Sequence, residues 1–188
     1  MKTLRIWNVT ALGAVFLLLL AAGGCRKKEE PRTMGGEAVS LSALNEIETY
    51  KEILRKDPNN LQALINIGNL YFDTRQDLPA IEHYRRALSL DPRNVNVRTD
   101  MAVCYRRSGN PDKAIEELKK VISIDPRHPQ SRYNLGVILI HDKNDIEGGI
   151  QAWEGLLENI PEYRYRDSLR AEITKMRAMV ESMKPKTN

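Results

Sequence analysis

Aromatic side chains are scarce: two Trp, two Phe and seven Tyr make up 6% of the 188 residues. With Ala, Leu, Ile, Arg and Lys plentiful, that scarcity favours helix over sheet. Two cysteines make no disulfide framework, and a four-ligand zinc site would need distant histidines. The three histidines, His83, His128 and His141, have no Cys, Asp or Glu neighbour at ligand spacing and read as solvated surface side chains. No phosphate loop, GxSxG elbow or HExxH pair is present, so the chain reads as non-catalytic and without a cofactor. Charge of one sign is also short. Lys and Arg number 29 against 25 Asp and Glu, and a net +4 is too small to point to nucleic acid. Hydrophobic residues at 41% and charged residues at 29% exclude wholesale disorder.

One apolar run stands out. Lys2 and Arg5 precede a stretch of 14 small or apolar residues, Ala11 to Gly24. A membrane-spanning helix needs about 20, so the length suits the core of a signal peptide. Cys25 follows at once, and small residues before it admit the backbone to a peptidase cleft. Ala22-Gly23-Gly24-Cys25 resembles the bacterial lipoprotein box, which implies cleavage before Cys25 and a lipid on its thiol. Ala22 stands where that family favours Leu, and Arg26-Lys27-Lys28 follows the site. An uncleaved signal anchor over the same residues is therefore the alternative. Cleavage would remove Lys2 and Arg5 and bring the net charge from +4 to +2. Both readings place the chain in the cell envelope. The lipoprotein would be periplasmic-facing, and the anchor would sit in the inner membrane. Residues 25–41 mix charge, Pro31 and Gly35-Gly36 without periodicity and read as a flexible tether.

Beyond the tether the chain repeats. Asp57-Pro58, Asp91-Pro92 and Asp125-Pro126 are 34 residues apart, and Pro161 comes 35 after Pro126. Asn66-Ile67-Gly68-Asn69-Leu70-Tyr71 aligns with Asp100-Met101-Ala102-Val103-Cys104-Tyr105 and with Asn134-Leu135-Gly136-Val137-Ile138-Leu139. Ala80-Ile81 aligns with Ala114-Ile115 and, after one inserted residue, with Gly149-Ile150. Small residues at the eighth position (Gly68, Ala102, Gly136) and the twentieth (Ala80, Ala114, Gly149) let helices approach closely. Tyr71, Tyr105, Leu139, Tyr84, Leu118 and Trp153 fill the space around them. The Asp-Pro pair stops each second helix, because proline disfavours helix at the residue before it. Cys104, tenth in its repeat beside Leu70 and Ile138, reads as a small core filler.

This pattern resembles the tetratricopeptide repeat, a 34-residue helix–turn–helix unit. The match covers residues 61–94, 95–128 and 129–162. The resemblance implies an all-α, right-handed solenoid. Leu64, Arg98 and Arg132 occupy the fourth position, so the two arginines predict looser contacts or packing by their stems. The flanks read as caps. Residues 42–60 hold an amphipathic helix with Leu44, Ile47, Tyr50, Ile53 and Leu54 on one face. Residues 163–188 carry Leu169, Ile173, Met176, Val180 and Met183 at steps of four and three. That heptad-like stripe also offers a surface for homo-oligomer formation. Tyr163-Arg164-Tyr165-Arg166 interleaves aromatic and basic residues at the junction and reads as packing for the cap.

The same resemblance places a peptide-binding groove on the side of each first helix that turns away from its partner. There lie Ile65, Asn66, Asn69, Phe72 and Asp73, then Thr99, Asp100, Val103, Arg106 and Arg107. Tyr133, Asn134, Val137, Ile140 and His141 complete the row. The amides of Asn66, Asn69 and Asn134 both donate and accept and so suit an extended backbone, with an apolar strip among them as anchor. Coverage of that strip by the chain's own C-terminal helix, or by a second copy, is the competing expectation. Lysine is missing from the row, and Asp73 and Asp100 offset the two arginines, so a clamp for acidic chain termini is not expected. The function expected is a membrane-tethered protein-binding scaffold. The alternative is a chaperone-like holder of an unfolded exported client, as in c-type cytochrome maturation or outer-membrane and pilus assembly.

Overall fold

The computed structural model describes residues 40–183. The expected signal segment, Cys25 and most of the expected tether lie outside the described residues, as do residues 184–188. Among the described residues there are eight helices and no strand. They are α1 (Leu41–Lys56), α2 (Leu61–Asp73), α3 (Asp77–Leu90), α4 (Val95–Arg107), α5 (Pro111–Ile124), α6 (Pro129–His141), α7 (Ile146–Asn159) and α8 (Arg166–Met183). The all-α solenoid expected from the repeat is what forms. α2 pairs with α3, α4 with α5 and α6 with α7, and each pair stacks on the next.

The 34-residue punctuation works through side chains as well as proline. The backbone N–H groups of Asp57, Asp91 and Asp125 close the preceding helices on Ile53, Ala87 and Val121. Their carboxylates then accept from the backbone N–H of Asn59, Arg93 and Arg127 at 2.9–3.3 Å. The next residue caps the following helix. Asn60 accepts from the Ala63 N–H and Asn94 from the Val97 N–H, filling one of the open donors of a helix start.

In the third repeat that capping residue is His128, which corrects its reading as a solvated histidine. His128 is buried. Its Nδ1 accepts from the Ser131 N–H at 3.3 Å, and its Nε2 faces Asn96 Oδ1 at 3.2 Å. These contacts require the neutral ring with the proton on Nε2, and burial pushes its pKa below the ordinary value.

Inside each pair, a ring or branched chain fills the space over a small residue. A Cβ added at Gly68 would meet the Tyr84 ring at 2.6 Å, and one at Gly136 would meet the Trp153 indole at 2.2 Å. The middle repeat uses a smaller filler on a larger floor: Ala102 and Leu118 share one buried cluster. The twentieth position closes the other flank. Ala80 and Ala114 are fully buried, and at Gly149 a Cβ would meet Ile140 Cγ1 at 2.3 Å and the Gly136 carbonyl at 2.9 Å. α6 and α7 therefore sit glycine to glycine.

The fourth-position arginines are ordered by polar contacts. Arg98 Nη1 lies 2.5 Å from Glu117 and its Nη2 donates to the Pro92 carbonyl at 2.7 Å. Arg132 Nε donates to the Pro126 carbonyl at 2.9 Å. Each guanidinium thus ties its helix to the Asp-Pro turn before it.

The caps are narrower than their apolar stripes. On α1, Ile47 and Leu54 are buried and Tyr50 packs against the first core, while Leu44 and Ile53 are exposed. On α8, Leu169 and Ile173 are buried against the α7 core and Met176 packs at its edge, but Met183 is 62% exposed. Among the described helices the α8 backbone approaches only α7. It does not fold back over α2, α4 or α6.

Candidate functional site

α2 approaches α4 and α4 approaches α6, whereas α3, α5 and α7 make no such approach to one another. The first helices therefore form the inner wall of the stack. Between them opens a cleft of about 440 Å³, lined by Phe72, Arg75, Val103, Arg106, Arg107, Leu118, Asn134 and Ile138. Phe72, Val103, Arg106, Arg107 and Asn134 were expected on this face. Leu118 and Ile138, expected as core fillers, also line it, and Arg75 was not expected at either place. It sits in the α2–α3 turn at φ 59°, outside any helix, so no helical spacing marks it.

Two expected residues are not on the open wall. Thr99 is buried, with its hydroxyl donating to the Val95 carbonyl at 2.7 Å. Ile140 is buried under α7, because the glycine pair draws that helix over it. Val137 is half-buried against the same core, as Ile65 is against the first one. Asp73 and His141 are exposed, and Tyr133 is 41% exposed.

The amides divide. Asn66 Nδ2 donates to the Tyr50 hydroxyl at 3.0 Å and its Oδ1 accepts from Gln62 at 2.8 Å. Asn69 Oδ1 accepts the Tyr84 hydroxyl at 2.8 Å. Those two hold the scaffold. Asn134 has no side-chain partner among the described residues and lines the cleft.

The charges pair differently from the sequence expectation. Arg107 Nε lies 2.8 Å from Asp77, and its guanidinium stacks 4.2 Å from the Phe72 ring centroid. Arg106 Nε lies 2.6 Å from Asp142. Each arginine already holds a carboxylate from an intra-repeat turn or the helix start after one, and it is not Asp73 or Asp100 that neutralises them. Those two acids, on α2 and α4, repel each other. Burial, then the charge of Asp73, lifts the Asp100 pKa from the usual 3.8 to about 6, with Arg107 pulling the other way. Burial likewise lifts the Cys104 thiol to about 12, which leaves it protonated and unreactive. Among the described residues no group of three or more His, Cys, Asp or Glu is placed to hold a metal ion.

The tetratricopeptide family model matches residues 61–94, and a second model of the same repeat matches residues 80–132. Tetratricopeptide repeats are therefore present. The solved structure of MamA is 24% identical, with a TM-score of 0.60 over 69% of this chain and 81% of that one. A tetratricopeptide repeat protein from Parabacteroides merdae ATCC 43184 is 22% identical, with a TM-score of 0.64 over 74% and 55%. The first TPR of Spaghetti (RPAP3), bound to an HSP90 peptide SRMEEVD, is 20% identical, with a TM-score of 0.57 over 66% and 96%. At these identities the likeness concerns the fold. No curated protein matches the sequence. α6 and α7 extend the repeat array beyond residue 132, the end of the family match. There the intra-repeat turn is a residue longer and the closing pair is Ile160-Pro161 in place of Asp-Pro.

Proposed function

We propose that this chain is a non-catalytic, membrane-tethered scaffold of the bacterial envelope that holds a partner polypeptide along α2, α4 and α6. The observation that carries the reading is the open cleft from Phe72 to Asn134. It combines apolar walls, one unpartnered amide, two arginines already paired with carboxylates, and a third, Arg75, with no ion-pair partner among the described residues. The fold itself is one that serves protein–protein interaction, and a structural neighbour holds a peptide. The tether adds effective concentration: a groove confined to a membrane meets partners there without any extra contact. Arg106 and Arg107 would each have to exchange one carboxylate for another to hold an acidic chain terminus, which leaves Arg75 as the cleft's unpaired arginine among the described residues.

Two measurements test this. The intact mass of the full chain extracted from membranes is expected to show diacylglycerol on Cys25 and loss of residues 1–24; an unmodified full-length mass would replace the lipoprotein by the anchor. Selection of a random dodecapeptide library on the full chain is expected to yield binders that Val103→Glu abolishes. Retention of those binders by a folded Val103→Glu protein would remove the groove reading.

A further inference from the structure

At the C-terminal end of the inner wall, α6, α7 and the start of α8 enclose a second hollow of about 410 Å³. Its walls are Tyr133, Trp153, Tyr163 and Tyr165, with Ser168, Leu169 and Glu172 from α8 and its N-terminal turn. The ring positions are fixed. Trp153 Nε1 donates to the Tyr133 carbonyl at 3.0 Å, and the two rings stack with centroids 5.9 Å apart and planes 16° apart. Tyr163 and Tyr165 meet edge to face at 5.9 Å. A capping helix has no need of this. Tyr133 and Tyr165 are 41% and 56% exposed, which is costly for aromatic surface with no neighbour to cover it.

The chemistry selects the occupant. Aromatic faces carry negative electrostatic potential and attract cations, the more so when solvent is thinned around them. The Glu172 carboxylate has no ion-pair partner among the described residues, so a cation in the hollow would gain one. An anion would face both the rings and Glu172. The Arg164 guanidinium, which does not line the hollow, already lies 5.4 Å from the Tyr165 ring centroid, a contact of the same kind made within the chain.

We propose that this hollow is a subsite for a lysine or arginine side chain of the partner polypeptide. It rests on the groove reading above and gives that groove a polarity, with the basic residue of the ligand lying at the α6–α8 end. The Tyr-Arg-Tyr-Arg junction is then divided by role. Arg166 anchors α8 to the Leu157 and Pro161 carbonyls, while the two tyrosines build the site.

The test uses the full chain with 15N-labelled tryptophan. Trp153 gives an indole signal, joined by that of Trp7 where residues 1–24 are retained, and Trp7→Phe then tells the two apart. Acetylated, amidated Gly-Gly-X-Gly-Gly peptides are titrated with X as arginine, lysine, norleucine, phenylalanine or glutamate. The arginine and lysine peptides are expected to move the Trp153 signal saturably. Glu172→Gln and the exposed Tyr165→Ala are each expected to weaken them by about tenfold. No movement with either basic peptide would overturn the proposal, as would equal binding of norleucine, tighter binding of phenylalanine, or indifference to Glu172→Gln. The library binders separate the two readings: loss with Val103→Glu but not with Glu172→Gln removes the subsite and leaves the groove, and indifference to both removes the groove as well.

Discussion

The first and third repeats close with an aromatic ring over glycine, and the middle repeat closes with leucine against alanine. The backbone arrangement is the same helix pair each time, so the helix spacing is kept while volume moves between the two facing positions. A ring requires bare backbone beneath it, whereas leucine tolerates one methyl. Dense cores permit such exchanges only when both positions change together.

The ring over glycine in the third repeat carries the largest expected loss. Trp153→Ala is expected to cost about 3–5 kcal/mol, read as a shift in urea midpoint, with Leu118→Ala toward the lower end. Gly136→Ala is expected to cost about 1–3 kcal/mol by overpacking. Adding Trp153→Leu, which recreates the middle repeat's pair, should recover most of that loss. A double variant no more stable than Gly136→Ala would show that the pairing is coincidental. Ala102→Gly is expected to cost only about 1 kcal/mol, mostly backbone entropy.

The repeats also differ in their response to pH. The folded state favours neutral His128, so its capping contribution is full above the ordinary 6.5 and is lost as pH falls through the lowered folded value. Asp125 is the charged group that opposes this shift. His128→Asn, the residue type at Asn60 and Asn94, should flatten the decline in melting temperature between pH 7 and pH 5. Asp100 runs the other way. Its folded pKa of about 6 lies above the usual 3.8, so its contribution is present below 3.8 and lost as pH rises through 6. Asp100→Asn should therefore raise the melting temperature at pH 7, by a margin that vanishes toward pH 4. An Asp100→Asn gain that persists at pH 4 would assign the effect to packing and not to charge.

The fold was legible because the signals that set it are local and periodic. Asp57, Asp91 and Asp125 mark the turns, and Gly68, Ala102 and Gly136 mark the contacts. The inner wall was legible only in part. A helical wheel sorts positions by angle and says nothing of how close the next helix comes. Ile140 disappeared because Gly149 lets α7 lie over it, and Thr99 because a short side chain stays beneath its neighbours. The wheel also ignores turns, and so missed Arg75, and it does not pair charges. Asp77 and Asp142 hold the two arginines from an intra-repeat turn and the helix start after one, leaving Asp73 and Asp100 facing each other. His128 was misread for a related reason. Its role follows from alignment with Asn60 and Asn94 in the repeat register, a comparison available in the sequence but hidden by the change of residue type. The aromatic hollow has no periodic signature, because Tyr133, Trp153 and Tyr165 come from three separate elements.

The proposed scaffold holds its partner on the open inner wall and on no other face. The most direct measurement compares the affinity of a selected dodecapeptide for three folded full-chain variants: Val103→Glu and Asn134→Asp on the inner wall, and Leu78→Glu on α3, where the native side chain is 70% exposed. Val103→Glu is expected to abolish binding, Asn134→Asp to weaken it, and Leu78→Glu to leave it unchanged. Binding lost with Leu78→Glu and kept with both inner-wall variants would contradict the inner-wall assignment.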